Sequence, residues 1–264
     1  MKLALCQLDS VWEAPEHNLK AFSDAVDSYV SVCGRPDIFL FPEFFNTAFT
    51  FNTAMAESSD GPTLRAMLAK ARGTGCAIAG SILVNDGGKA FNRLYFVTEY
   101  GLAGSYDKGH TFSISGESEV IARGGDRSAV VNYRGWNIGL SICYDLRFPV
   151  WMRNEDNRYD LMINVASWPQ SRVAQASAMA ASRAIENTCY LAFCNRTGSD
   201  PKCVYDGRSA VYDFTGAVCS RKLEAGGFSF VDAEIDKSVL EESRREFPVW
   251  KDNDKFNIFY EKDI

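Results

Sequence analysis

NIGLSICYDLRFP, residues 137–149, is apolar or small at every position from Ile138 to Cys143 and turns polar at once with Tyr144-Asp145. A run of that kind reads as a strand covered on both faces. It ends in a strand-to-helix corner that would expose the Cys143 side chain at the C-terminal edge of a sheet. Ligands and reacting groups gather at such edges in α/β proteins. Upstream, SAVVNY (128–133) leads into the same strand across the turn signal Arg134-Gly135. Downstream, DLMINVAS (160–167) reads as another strand, Ser171 to Asn187 as an Ala-rich helix of good propensity, and CYLAFCN (189–195) as a further strand.

The same alternation extends to both ends. KLALCQL reads as a first strand, Pro15 to about Val32 as an amphipathic helix, DIFLFPE as a strand stopped at Pro42, and Thr63 to Arg72 as a helix. CAIAGSILV, LYFVTEY and the segment through Ser105 read as successive strands, with Asp86-Gly87-Gly88 as a hairpin turn. SAVYDF and GGFSFVDAEI are later strands, and Ser238 to Glu246 is helical. Strands and helices interleaved in this way give an α/β layered architecture. No Gly/Ser-rich linker, charge block or repeat divides the chain, so residues 1–264 are expected to form one domain.

Composition narrows the function. An apolar fraction of 46% and a charged fraction of 23% are ordinary for a globular protein. A net charge of −6 argues against nucleic-acid or anionic-membrane partners, which favour basic surfaces. The N-terminal MKLALCQLDSVW meets acid at Asp9 and is too short in apolar residues for a signal peptide, so a cytoplasmic location is expected. The eight cysteines form no CxxC pair and there are two histidines, His17 and His110. Neither a disulfide framework nor a metal site is expected, and most of the thiols read as small core hydrophobes.

Three residues carry the chemistry best in combination. Glu43 follows the apolar strand IFLFP, Lys108 follows a strand in GSYDKGHTF, and Cys143 ends NIGLSIC. Each alone reads more readily as a cap, a solvated charge or a core thiol. Hydrolysis of an amide through a thiol needs a base for the thiol proton, a cationic donor for the oxyanion and an acid for the leaving amine. With His17 in the polar stretch EAPEHNLK, a carboxylate is the more economical base.

FPE (41–43), YDKGHTF (106–112) and GLSICYDLRFP (139–149) resemble the three signature motifs of the nitrilase superfamily of carbon–nitrogen hydrolases, in that order. The resemblance runs from Met1 to about Lys237. It implies a four-layer αββα sandwich, dimerisation, no cofactor, and a catalytic set of Glu43, Lys108 and Cys143. It also implies a second carboxylate after the lysine, for which Glu117 and Glu119 are candidates. Glu117 is preferred, because it stands seven residues before Gly124. Many members carry Glu after RFP, whereas Val150 follows here. That form, with NVASWP and SRAIENTCYLAFCNRTGSD downstream, resembles the bacterial omega-amidase branch rather than nitrilase proper.

The resemblance therefore implies release of ammonia from short dicarboxylic or keto-acid monoamides such as alpha-ketoglutaramate, through a cysteine thioester. A thiol titrates near about 8.5 when free, so a neighbouring base or cation is expected to enrich the Cys143 thiolate. Lys108 and the Tyr144 N–H would hold the oxyanion. Arg147 suits a substrate carboxylate, or alternatively an ion pair with Asp145. Phe44, Tyr144 and Trp168 would wall a short pocket. The C-terminal segment from about 247 to 264, with Phe247, Trp250, Phe256, Phe259 and Tyr260, is too aromatic for a solvated tail and is expected to pack on a dimer partner. Rival readings are a deaminated-glutathione amidase, a carbamoylase, and a catalytically silent interaction protein of the same fold.

Overall fold

In the computed structural model, which describes residues 1–125 and 129–259, the apolar runs divide by parity between two cores. Leu3, Leu5, Ile38, Leu40, Leu94 and Phe96 face one, while Ala4, Cys6, Phe39, Phe41, Tyr95 and Val97 face the other. Successive side chains on a strand point to opposite faces, so a strand apolar at every position must be covered on both sides.

The chain begins β1 (Lys2–Cys6), α1 (Pro15–Cys33), β2 (Ile38–Leu40), β3 (Glu57–Ser58), α2 (Pro62–Thr74), β4 (Ala77–Asp86), β5 (Lys89–Thr98) and β6 (Gly101–Asp107). After the short α3 (Glu117–Val120) and β7 (Ile121–Ala122) come β8 (Val130–Tyr133), β9 (Trp136–Ile142) and β10 (Leu161–Ala166). Then follow α4 (Val173–Glu186), β11 (Tyr190–Asn195), β12 (Thr197–Ser199), β13 (Val204–Asp206) and β14 (Ala210–Tyr212). The last elements are β15 (Ser220–Ala225), β16 (Phe228–Glu234) and α5 (Lys237–Glu246).

One sheet runs β15-β16-β1-β2-β4-β5-β6, with β3 beside β4 and β7 beside β5. The second runs β14-β11-β10-β9-β8, and β12 with β13 makes a separate two-stranded ribbon. Parallel strands lie at the centre of each sheet: β1, β2 and β4 in the first, β9, β10 and β11 in the second. The crossovers β1–β2, β2–β4 and β10–β11 carry α1, α2 and α4, and the β9–β10 crossover carries only short 3-10 turns. Helices α1 and α2 close the outer face of the first sheet, where Phe22, Val26, Tyr29, Leu64 and Met67 join its core. Helix α4 packs on β11 and β14 of the second sheet, whose other face meets the first sheet. The result is the four-layer αββα sandwich.

Both hairpin signals hold. Asp86 pairs with Lys89 across Gly87-Gly88 (φ 58° and 78°), and Tyr133 with Trp136 across Arg134-Gly135 (φ 48° and 77°). Positive φ at both central residues matches the right-handed twist of the flanking strands. The corner after β9 does pass from strand to helix, and the helix is a short 3-10 one, Cys143–Arg147. No helix among the described residues is long and apolar enough to cross a membrane.

Candidate active site

Three strand ends converge across the interface between the sheets. β2 stops just before Phe41-Pro42, because Pro42 has no N–H for the ladder, and Glu43 follows. β6 ends at Asp107, and the next residue, Lys108, donates its N–H to Asn92 O at 2.9 Å. β9 ends at Ile142, and Cys143 turns the corner with φ 45°. A non-glycine residue in the left-handed region costs about 1–3 kcal/mol, strain that gathers at functional sites. Gly109 lets the lysine loop lie against the core, since a Cβ there would come within 2.3 Å of Trp151 Cζ2.

Lys108 is fully buried, and its Nζ lies 2.8 Å from Glu43 Oε1 and 2.8 and 3.0 Å from the two oxygens of Glu117. Both carboxylates are buried as well. Burial alone would drive the proton off Lys108, but the charges of Glu117 and Glu43 outweigh it and hold the ammonium above its ordinary pKa. Glu43 is raised, first by burial and then by the Glu117 charge, against the opposing pull of Lys108. Its Oε1 also accepts from Asn92 Nδ2 at 2.8 Å, while Oε2 has no fixed hydrogen-bond partner. Glu117 Oε2 is held by the Phe112 N–H at 2.6 Å. Of the two candidates for the second carboxylate, Glu117 faces Lys108, and Glu119 is exposed.

Cys143 is 8% exposed, so the corner buries it instead of exposing it. Burial pushes its thiol well above the ordinary value, the Glu43 charge adds to the shift, and Lys108 offsets part of it. Burial thus works against the thiolate that was expected, and the Glu43 carboxylate stands beside the thiol as its base.

Cys143 lies in the wall of a small pocket whose cavity measures about 110 Å³. Tyr144, Arg147 and Trp168 line it as expected. Phe44 does not. Its backbone is bent to φ 49° and its N–H donates to Ser81 Oγ, which sends the ring into a separate cluster with Leu83, Ala90 and Ile121. Phe49, whose ring centroid is 6.0 Å from that of Phe44, takes its place on the wall. Arg147 does not pair with Asp145: its guanidinium lies 4.7 Å from the Trp168 ring centroid and donates to Gln175 Oε1 at 2.7 Å.

Sequence reasoning missed several neighbours. Asn92 reaches both carboxylates, at 2.8 Å for Glu43 and 3.4 Å for Glu117, and its only signal was an amide in the apolar run AFNRLYFV. Phe112, Arg172, Asp200, Lys202, Cys203 and Tyr205 also line the pocket. The last four come from the ribbon of β12 and β13 and its turn, where Asp200 Oδ2 accepts from the Tyr205 hydroxyl at 2.5 Å.

The carbon-nitrogen hydrolase family model matches residues 2–245. The chain is 36% identical to omega-amidase YafV of Escherichia coli (strain K12), over 98% of this chain and 99% of that protein. It is 29% identical to 2-oxoglutaramate amidase of Bacillus subtilis (strain 168), over 95% of this chain and 96% of the relative. The crystal structure of XC1258 from Xanthomonas campestris, a CN-hydrolase superfamily protein with an arsenic adduct in its active site, superposes with a TM-score of 0.90. That match has 33% identity and covers 98% of this chain and 99% of the other.

Proposed function

The chain belongs to the carbon–nitrogen hydrolase family, and from that premise we propose that it is an omega-amidase releasing ammonia from short dicarboxylic or keto-acid monoamides such as alpha-ketoglutaramate. The observation that carries the reading is a buried ammonium between two carboxylates beside a thiol, at a pocket that also presents Arg147. The names of the relatives support it.

In this reading the Cys143 sulfur attacks the amide carbon while its proton passes to Glu43, whose raised pKa makes it a stronger base than an exposed carboxylate. The developing oxyanion is held by the Lys108 ammonium and the Tyr144 N–H. Lys108 remains charged throughout, because its pKa is raised. The proton on Glu43 is handed to the nitrogen as the C–N bond breaks, so ammonia leaves and a thioester stays on Cys143. Water then gives a proton to Glu43 and attacks the thioester carbon; as the C–S bond breaks, Glu43 returns that proton to the sulfur and the carboxylic acid departs. Glu117 fixes the Lys108 head through both of its oxygens. Arg147, spread over Trp168, takes the far carboxylate of the substrate. The aromatic wall of Phe49, Phe112, Tyr144 and Trp168 suits a short chain.

The C-terminal segment enters the same proposal as a dimer contact. Phe247 and Phe259 are each 72% exposed; Tyr260 lies outside the described residues.

The test is ammonia release from a panel containing alpha-ketoglutaramate, succinamate, glutamine, N-carbamoyl amino acids, deaminated glutathione and a simple nitrile. Preference for the first two supports the reading. Faster turnover of any of the others overturns the omega-amidase assignment, and no turnover of any of them overturns the enzyme reading itself.

A further inference from the structure

A single carboxylate ties the lysine loop to the cysteine corner, and it belongs to Asp145, which no step above uses. Asp145 is fully buried. Its Oδ2 accepts the Ile142 N–H at 3.1 Å and the Tyr106 hydroxyl at 2.8 Å. Its Oδ1 accepts the His110 N–H at 2.9 Å and lies 2.9 Å from Nδ1 of the His110 ring. Ile142 immediately precedes Cys143, and Tyr106 and His110 stand two residues to either side of Lys108. Four donors from the two loops that carry nucleophile and cation thus meet on one side chain.

The donors are themselves fixed. The Tyr106 hydroxyl accepts the Gly109 N–H at 3.0 Å and Trp151 Nε1–H at 2.8 Å, which leaves its own proton for Asp145. Burial and then the Asp145 charge raise the Tyr106 pKa well above the ordinary value, so it stays a donor. The His110 ring is stacked on Phe148, with centroids 3.7 Å apart and planes 8° apart. Its Nε2 faces the Arg123 guanidinium at 3.4 Å, and a ring that accepts there donates from Nδ1. An ionised carboxylate has acceptor sites for four donors. An amide in its place would offer one oxygen and turn an NH2 towards two of them.

We propose that Asp145 is a positioning residue, which holds the strained Cys143 corner and the Lys108 loop in the register that aims the sulfur and the ammonium at one carbonyl. The kinetic part of this inference rests on the amidase reading. The alkylation part does not.

The test compares the full-length protein with its Asp145→Asn variant. Misplacing reacting groups by about 1 Å costs on the order of a hundredfold, so kcat should fall by about that factor with KM little changed. Alkylation of Cys143 by iodoacetamide, followed by mass spectrometry, should slow in parallel. If Asp145→Asn fails to fold, Tyr106→Phe removes one neutral donor to Asp145, together with the acceptor of the Gly109 and Trp151 N–H groups, and keeps the ring; kcat should then fall by about tenfold. A folded Asp145→Asn protein with normal kcat, or with raised KM and normal kcat, overturns the proposal. So does a lowered melting temperature with unchanged turnover per titrated thiol. If the wild-type protein hydrolyses no amide, the amidase reading fails, and the alkylation rates alone decide for or against Asp145.

Discussion

Replacing Lys108 by Met keeps most of the buried stem and removes the Nζ that lies 2.8 Å from both Glu43 and Glu117. Breaking a buried ion pair by deleting one partner costs about 3–5 kcal/mol, because the other charge is left uncompensated. At this chain length about 2 °C of melting temperature goes with each kcal/mol, so Tm should drop by about 6–10 °C at neutral pH. The variant has a second signature. Glu43 is already raised by burial and by the Glu117 charge, and without Lys108 it rises further. A group whose pKa is raised in the folded state favours folding below its unfolded pKa, and that contribution is lost as pH climbs through the folded value. The stability deficit of Lys108→Met should therefore be larger at pH 8 than at pH 5. Turnover should fall by about a hundredfold or more, the scale for one lost oxyanion donor. Calorimetry of both proteins at the two pH values, with single-turnover ammonia release, measures all three effects. A kcat within tenfold of wild type, or a deficit no smaller at pH 5, would refute the assignment of Lys108 as the buried cation that holds the oxyanion.

Other outcomes follow from the same geometry. Cys143→Ala should abolish turnover and move Tm by no more than about 2 °C, since one sulfur at a pocket wall leaves little cavity; residual ammonia release at even a few per cent would point to another nucleophile. The acid limb of kcat/KM should lie above the usual carboxylate range, because Glu43 must be ionised to accept the thiol proton and its pKa is raised; a limb at ordinary carboxylate pH would remove Glu43 from that role. Arg147→Ala should slow carboxylated amides about tenfold or more and uncharged short amides far less, a contrast visible in paired kcat/KM values. Light scattering at micromolar concentration should give a dimer, and a stable monomer would leave the exposed Phe247 and Phe259 without a role.

Much of the architecture is legible because it rests on local rules. The parity of Leu3 and Leu5 against Ala4 and Cys6, the paired positive-φ turns, and the arrest of a strand at Pro42 are each set within a few residues. The convergence of Glu43, Lys108 and Cys143 came from a family resemblance, since nothing local brings residues so far apart in sequence together. What escaped the sequence depends on long-range packing. Asn92 reaches Glu43 across 49 positions and Tyr106 reaches Asp145 across 39, and neither partner announces itself in a strand. Phe44 was misplaced because a left-handed backbone turns its ring away, and a φ value is not written in a residue name. Burial of Cys143 was missed for a related reason: a corner is exposed only where no second sheet lies over it, and here one does.

The ribbon of β12 and β13 pairs with neither main sheet as a strand, yet it supplies Asp200, Lys202, Cys203 and Tyr205 to the pocket. The thiol, the ammonium and their carboxylates are rooted in the sandwich instead. The catalytic set thus resides in the sandwich together with Arg147 and the aromatic wall, while the ribbon adds one further side of the pocket rim. Under selection for a new amide, the turn between Ser199 and Val204 can be exchanged, lengthened or recharged while the machinery beneath it is inherited unaltered.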